Sequence, residues 1–199
     1  MALDKTRRDL LEAAYSEIRL QGFQSASLNA ILNQAGVTKG ALYHYFKNKK
    51  ALGYAVLDEL ILPYLEKTWI DPLNDKRYPP LERLKQTISM AGEKLDDLEI
   101  QLGCPLNNLA QEMSSVDDAF RQRLVRIYDI WSAGIRDALR QGQAGGSVRS
   151  DIDAEKVALF IVSTLEGSMG MAKTARSAGV LRDTGQVLMT FLEGLRVPA

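Results

Sequence analysis

Apolar positions along this chain recur at helical spacing almost throughout. Leu10, Ala14 and Ile18 fall every fourth residue, Leu11 and Tyr15 widen the stripe, and Gly22 stops that helix. Ser27 is placed to cap a short second helix carrying Leu28, Ile31, Leu32 and Ala35. Gly36 breaks it, and Thr38 is placed to cap a third helix running to about Phe46. Asn48 then caps "KKALGYAVLDELILPYLEK", in which Leu52, Val56 and Leu60 form an apolar row. The polar, proline-rich "DPLNDKRYPP" reads as a loop, and Pro79 and Pro80 open a helix predicted to run through "LERLKQTISMAGEKLDDLEI". A short helix follows "GCP", and Ser115 with Asp118 resembles a capping box for a long helix ending near Gln141. "GQAGGSVRSD" reads as a flexible connection. Asp153 caps "AEKVALFIVSTLEGSMGMAKTA", and a last helix is predicted over Leu181–Leu195. No segment alternates with period two, so the fold is predicted to be all-α, with roughly eight to ten helices and a boundary near residues 46–50.

Composition narrows the classes. A hydrophobic content of 46% with 25% charged residues is that of a water-soluble globular protein. The opening "MALDKTRRDLLEAA" offers no apolar stretch for a signal peptide, and no run is long enough to span a bilayer, so no membrane partner is expected. One cysteine excludes an internal disulfide framework and fits a reducing cytoplasm. With one histidine far from that cysteine, neither a metal site nor a cofactor is indicated. Net charge is zero overall, but residues 1–50 carry eight Lys/Arg against four Asp/Glu. The remainder therefore holds the opposite excess of four, which suggests a basic N-terminal unit joined to a mildly acidic one.

Two short helices separated by a turn at "AGV" match a helix-turn-helix over about residues 27–46. At about 100° per residue from Lys39, Leu42 and Phe46 share one apolar face, and Tyr45 sits at its border. Gly40, Tyr43, His44 and Lys47 fall on the opposite face. That face suits DNA. Lys39 can reach guanine or a phosphate, Gly40 and Ala41 permit close approach, and Tyr43 can meet a thymine methyl or a phosphate. Thr38 can place its hydroxyl or N–H on a phosphate, His44 can donate to one, and Lys49 lies at the next helix start. A small helical hairpin with a solvated basic face fits the same geometry.

"SLNAILNQAGVTKGALYHYFKNKKAL" closely resembles the recognition region of the tetracycline-repressor (TetR) family of transcriptional regulators, and "RRDLLEAAYSEIRLQGFQSASL" resembles its first helix and turn. The resemblance covers about residues 4–60. It implies a DNA-facing set of Ser27, Thr38, Lys39, Gly40, Ala41, Tyr43, His44, Tyr45 and Lys49. It further implies a helix-turn-helix domain over 1–50 and a helical ligand-binding and dimerisation domain over 51–199. The function implied is a cytoplasmic homodimeric regulator, a repressor released from a palindromic double-stranded operator by a small-molecule inducer or an electrophile. No catalytic residue is implied.

The remaining chain leaves several alternatives open. Ser163, Gly167 and Gly170 recur at helical spacing, which suits either a two-fold helical interface or packing within one chain. Trp69, Leu109, Met113, Tyr128, Trp131 and Met169, with Met90, Phe120 and Phe160, are candidates either for a ligand cavity or for core. Glu166, in an otherwise apolar helix, can orient a ligand, pair with Lys173 or reach solvent. Cys104 is either a small buried hydrophobe or a reactive thiol favoured by a helix start and paired with a lysine such as Lys173. The competing class is a helical-bundle carrier or enzyme using Cys104 as nucleophile, though no base is evident near it in sequence.

Overall fold

The computed structural model describes residues 5–198, so Met1–Asp4, part of the stretch read against a leader, and Ala199 lie outside the described residues. Eleven α-helices follow one another among those residues, and no strand occurs beyond a single antiparallel bridge between Val148 and Arg196. No described helix is long and apolar enough to cross a membrane. The chain divides into two compact units, one of residues up to Tyr64 with Pro105–Arg126, the other of Leu65–Cys104 with Ile127 onward.

In the first unit, α1 (Lys5–Gln21) packs against α2 (Leu28–Ala35), α3 (Lys39–Tyr45) and α4 (Lys49–Val56). Each short helix is capped by its own side chain. Ser27 Oγ accepts from Ala30 N–H, Thr38 Oγ1 from Ala41 N–H and Asn48 Oδ1 from Ala51 N–H. Gly36 makes the turn between α2 and α3 at φ +65°, a left-handed conformation that disfavours most side chains. The predicted fourth helix does not stay α-helical. It widens to π geometry over Leu57–Ile61, returns to α over α5 (Leu62–Leu65) and widens again over Glu66–Ile70. Pro63 lies just past the first widened turn, and it can give no N–H to an ordinary α ladder.

Two later helices complete this unit: α8 (Pro105–Met113) and the opening of α9 (Asp118–Ala144). The Phe120 ring, fully buried, lies edge-on to Phe23 at 4.6 Å and to Tyr54 at 4.8 Å between ring centres. Glu112 accepts from the backbone N–H groups of Phe23 and Gln24 at 2.8 and 2.7 Å, which fixes the turn after α1. The start of α9 corrects the predicted Ser115–Asp118 capping box. Asp117 takes that role, accepting from Phe120 N–H at 3.0 Å, the Tyr54 hydroxyl at 2.9 Å and Lys50 Nζ at 2.8 Å.

The Lys50 ammonium, then the Phe120 N–H and the Tyr54 hydroxyl, hold the Asp117 carboxyl down to about 2. A carboxyl whose folded value is depressed stabilises the fold above its unfolded value, near 4, and loses that contribution as pH falls through its folded value. Asp117→Asn is therefore expected to lower the melting temperature at neutral pH and to flatten its decline between about pH 4 and pH 2. Melting curves over that range check this, and parallel declines in the two proteins would contradict it.

In the second unit, α10 (Ala154–Ala175) packs on α11 (Ala178–Glu193) and on α7 (Asp97–Leu102), and α6 (Pro80–Glu93) packs on α11. The single helix predicted from Pro79 to about Ile100 is two helices. Asp96 breaks the run by accepting from Glu99 N–H and capping α7, the competition that short carboxylates commonly offer a helix ladder. "GQAGGSVRSD", read as flexible, is held in place. Gln143 donates to the carbonyls of Arg149 and Ile152, and Arg149 N–H donates to the carbonyl of Leu195 at 2.9 Å. The Arg83 guanidinium, buried, donates to the Leu73 carbonyl and to Gln141, and so ties the loop before α6 to α9.

Candidate nucleic-acid interface and effector site

Leu42 and Phe46 are buried at 1% and 3% exposure, while Lys39, Gly40, Tyr43 and His44 are exposed. Helix α3 ends at Tyr45, one residue short of prediction, and Phe46 turns into extended backbone with the Arg7 guanidinium over its ring. Tyr45 is half-buried, edge-on to His44, in keeping with its border position on the helical wheel. The Lys39 ammonium stands 6.0 Å from the Tyr43 ring centre. Ser27, Asn29, Lys39 and Tyr43 line one groove between α2 and α3, floored by Leu32 and Leu42. Thr38 is exposed at the start of α3, and Ala41 is half-buried behind it.

Lys49 takes part in the fold itself. Its ammonium donates to the Gln24 carbonyl at 3.0 Å, stands over the Phe23 ring at 5.1 Å, and is pushed below the usual lysine range chiefly by desolvation. With Glu112 on the neighbouring N–H groups, both faces of the turn after α1 are fixed by charged side chains. No sequence pattern marks that role for Glu112, because its partners lie 88 and 89 residues away.

The predicted ligand set separates. Leu109 and Met113 are core residues of the first unit, as is Phe120. Trp69, Cys104, Tyr128, Trp131, Glu166, Met169 and Lys173 belong to the second unit. Trp69 and Trp131 pack with ring centres 4.7 Å apart, and the buried Trp131 indole N–H has no hydrogen-bond acceptor among the described residues. Met90 and Phe160 are about half exposed, too open for cavity walls.

The Cys104 thiol, half-buried just before α8, donates to Glu166 Oε1 at 3.2 Å. Glu166 is buried, which removes the reading in which it reaches solvent. Burial raises its carboxyl to about 7, against the opposing effect of the thiol hydrogen bond. The Tyr128 hydroxyl is pushed well above the usual tyrosine range by burial first, then by the nearby acidic groups of Glu166 and Cys104. Lys173 follows Glu166 by seven residues on α10 and is exposed. Nothing in the sequence marks Glu166 as the thiol's partner, since the two are 62 residues apart.

Helix α10 also carries an open stripe. Leu159 is 62% exposed, Ser163 is exposed, and a Cβ at Gly167 or Gly170 would meet no described atom within 4 Å. Met171 on the same helix and Val187 on α11 are also exposed apolar side chains.

Comparison with known proteins agrees in both halves of the chain. Residues 10–56 match the family model described as bacterial regulatory proteins, tetR family, and residues 80–188 match the tetracyclin repressor-like C-terminal domain. The transcriptional regulator AcuR of Cereibacter sphaeroides is 31% identical over 166 residues, covering 83% of this chain and 75% of that protein. The transcriptional repressor DhaR of a Mycobacterium species is 29% identical over 177 residues, covering 89% and 87%. Among solved structures, a regulatory protein TetR from Rhodobacter sphaeroides superposes with a TM-score of 0.85 at 27% identity, covering 98% of this chain and all of that one.

Proposed function

Because this chain belongs to the TetR family of transcriptional regulators, which bind operator DNA and small-molecule ligands as dimers, we propose that it is a repressor reading a palindromic operator through α3. The family comprises regulators and not enzymes, so the carrier or enzyme alternative is not favoured. The observation that carries the reading is the division of α3 by direction. Leu42 and Phe46 anchor it, leaving Lys39, Gly40, Tyr43 and His44 free to enter a major groove. Ser27, Thr38, Ala41, Tyr45 and Lys49 frame that surface, and residues 1–50 form the DNA-reading domain.

The open stripe on α10 with Val187 of α11 is the surface proposed to meet a second copy, which sets two recognition helices one operator turn apart. The effector site proposed is the neighbourhood of Cys104, Tyr128 and Glu166, with Trp69, Trp131, Met169 and Lys173 shaping what enters. An effector there acts by favouring the dimer whose recognition helices no longer match the half-sites.

Alkylating Cys104 in the protein–DNA complex tests this. Operator affinity is expected to fall about 100-fold, or about 2.7 kcal/mol, while Cys104→Ser binds the operator and ignores the reagent. Unchanged affinity after full modification would remove Cys104 from the regulatory route.

A further inference from the structure

The thiol of Cys104 and the carboxylate of Glu166 form a hydrogen-bonded pair at 3.2 Å, with Glu166 only 8% exposed in the middle of α10. Two routes can expose a nucleophilic sulfur here. If the proton leaves to bulk water, two anions remain side by side in a poorly hydrated site, which low dielectric opposes strongly. If the proton passes to Glu166, the pair keeps a single negative charge and no new charge is buried. Geometry favours the second route, because the acceptor oxygen already receives the thiol's hydrogen.

We infer that Glu166 is the proton acceptor of Cys104, so that capture of a soft carbon electrophile at Sγ turns the buried carboxylate into a neutral acid. This rests on Cys104 being the chemical input of the regulator. The step balances without an oxidant. The Sγ–H bond breaks, its proton moves to Glu166 and the sulfur pair forms an Sγ–C bond. With an alkyl halide, the carbon–halogen bond breaks and halide leaves with its electron pair. The product thioether has no hydrogen to donate, so the carboxylate loses a bond that favoured its ionised form. Burial, the larger influence on Glu166, then meets less opposition and favours the protonated acid. Modification of one sulfur thereby removes a negative charge from the centre of α10, and Tyr128 loses the charge that disfavoured its own ionisation.

Proton counting with iodoacetamide tests the inference on the full-length protein, without DNA, in weak buffer at about pH 8, above the value of about 7 to which burial raises the Glu166 carboxyl. An ordinary thiol releases a full proton with each iodide. The folded wild type is expected to release less than about half a proton per thioether, with a new protonated-carboxyl band in the infrared difference spectrum. Glu166→Gln, and wild type unfolded in guanidinium chloride, are expected to release a full proton and show no such band. If the variant fails to fold, the folded and unfolded wild type still decide the matter. A full proton from folded wild type, or the same band in Glu166→Gln, overturns the inference. Because no readout involves DNA, an operator affinity indifferent to alkylation would overturn the regulatory reading and leave this proton transfer standing.

Discussion

Gly53→Ala is expected to destabilise the protein by about 3 kcal/mol, a loss of roughly 6–12 °C in melting temperature for a chain of this size. A Cβ at Gly53 would stand 2.4 Å from Phe23 Cε2 and 2.7 Å from Phe120 Cζ. Neither ring can withdraw cheaply. Phe120 is wedged between Phe23 and Tyr54, and Phe23 sits beneath the Lys49 ammonium on a turn whose N–H groups are held by Glu112. In an open helix the same change is mildly favourable, because alanine is the better helix former. The sign of the effect therefore reports the close approach of two rings to the backbone of α4. Thermal melting of the variant checks it, and a melting temperature equal to or above wild type would show that the rings have room to move.

Lys39→Ala is expected to weaken operator binding about tenfold to a hundredfold and to relax discrimination at one base position, with little change in thermal stability. Lys39 is exposed and reaches over Tyr43, so its loss removes no core contact. Lys49→Ala should behave differently on both counts. It is expected to weaken all DNA sequences alike, and its lost bond to the Gln24 carbonyl should lower the melting temperature as well. Titrations of both variants against operator and single-base mutants, each with a melting curve, separate the roles. Identical profiles would contradict the assignment of Lys39 to base contact.

Local chemistry made the reading half of this protein legible from its sequence. Ser27, Thr38 and Asn48 cap the helices they precede, Gly36 turns left-handed between two of them, and the wheel separates Leu42 and Phe46 from Tyr43 and His44. Each of those choices is decided within four residues. What stayed hidden depends on distant partners. Asp96 cuts a helix that periodicity would continue, and Asp117 caps α9 because Lys50 and Tyr54 meet it there. Residue type suits all the effector candidates to a cavity, yet type alone does not separate Leu109 and Met113, which fill the first unit's core, from Tyr128 and Glu166 beside the thiol. For Cys104 the sequence leaves open a small buried hydrophobe and a reactive thiol favoured by a helix start beside a lysine such as Lys173. The hydrogen bond to Glu166 adds a partner 62 residues away that neither reading contains.

The central claim is that α3 reads DNA by sequence. Titration of the full-length protein against the DNA upstream of its own coding sequence, beside a shuffled duplex of equal length over a salt series, tests it most directly. The account predicts tighter binding to the upstream DNA at every salt concentration, affinity for both duplexes falling steeply as salt rises, and a preference that shrinks in Lys39→Ala. Absence of binding at low salt, or equal affinity for the two duplexes across the series, would contradict it.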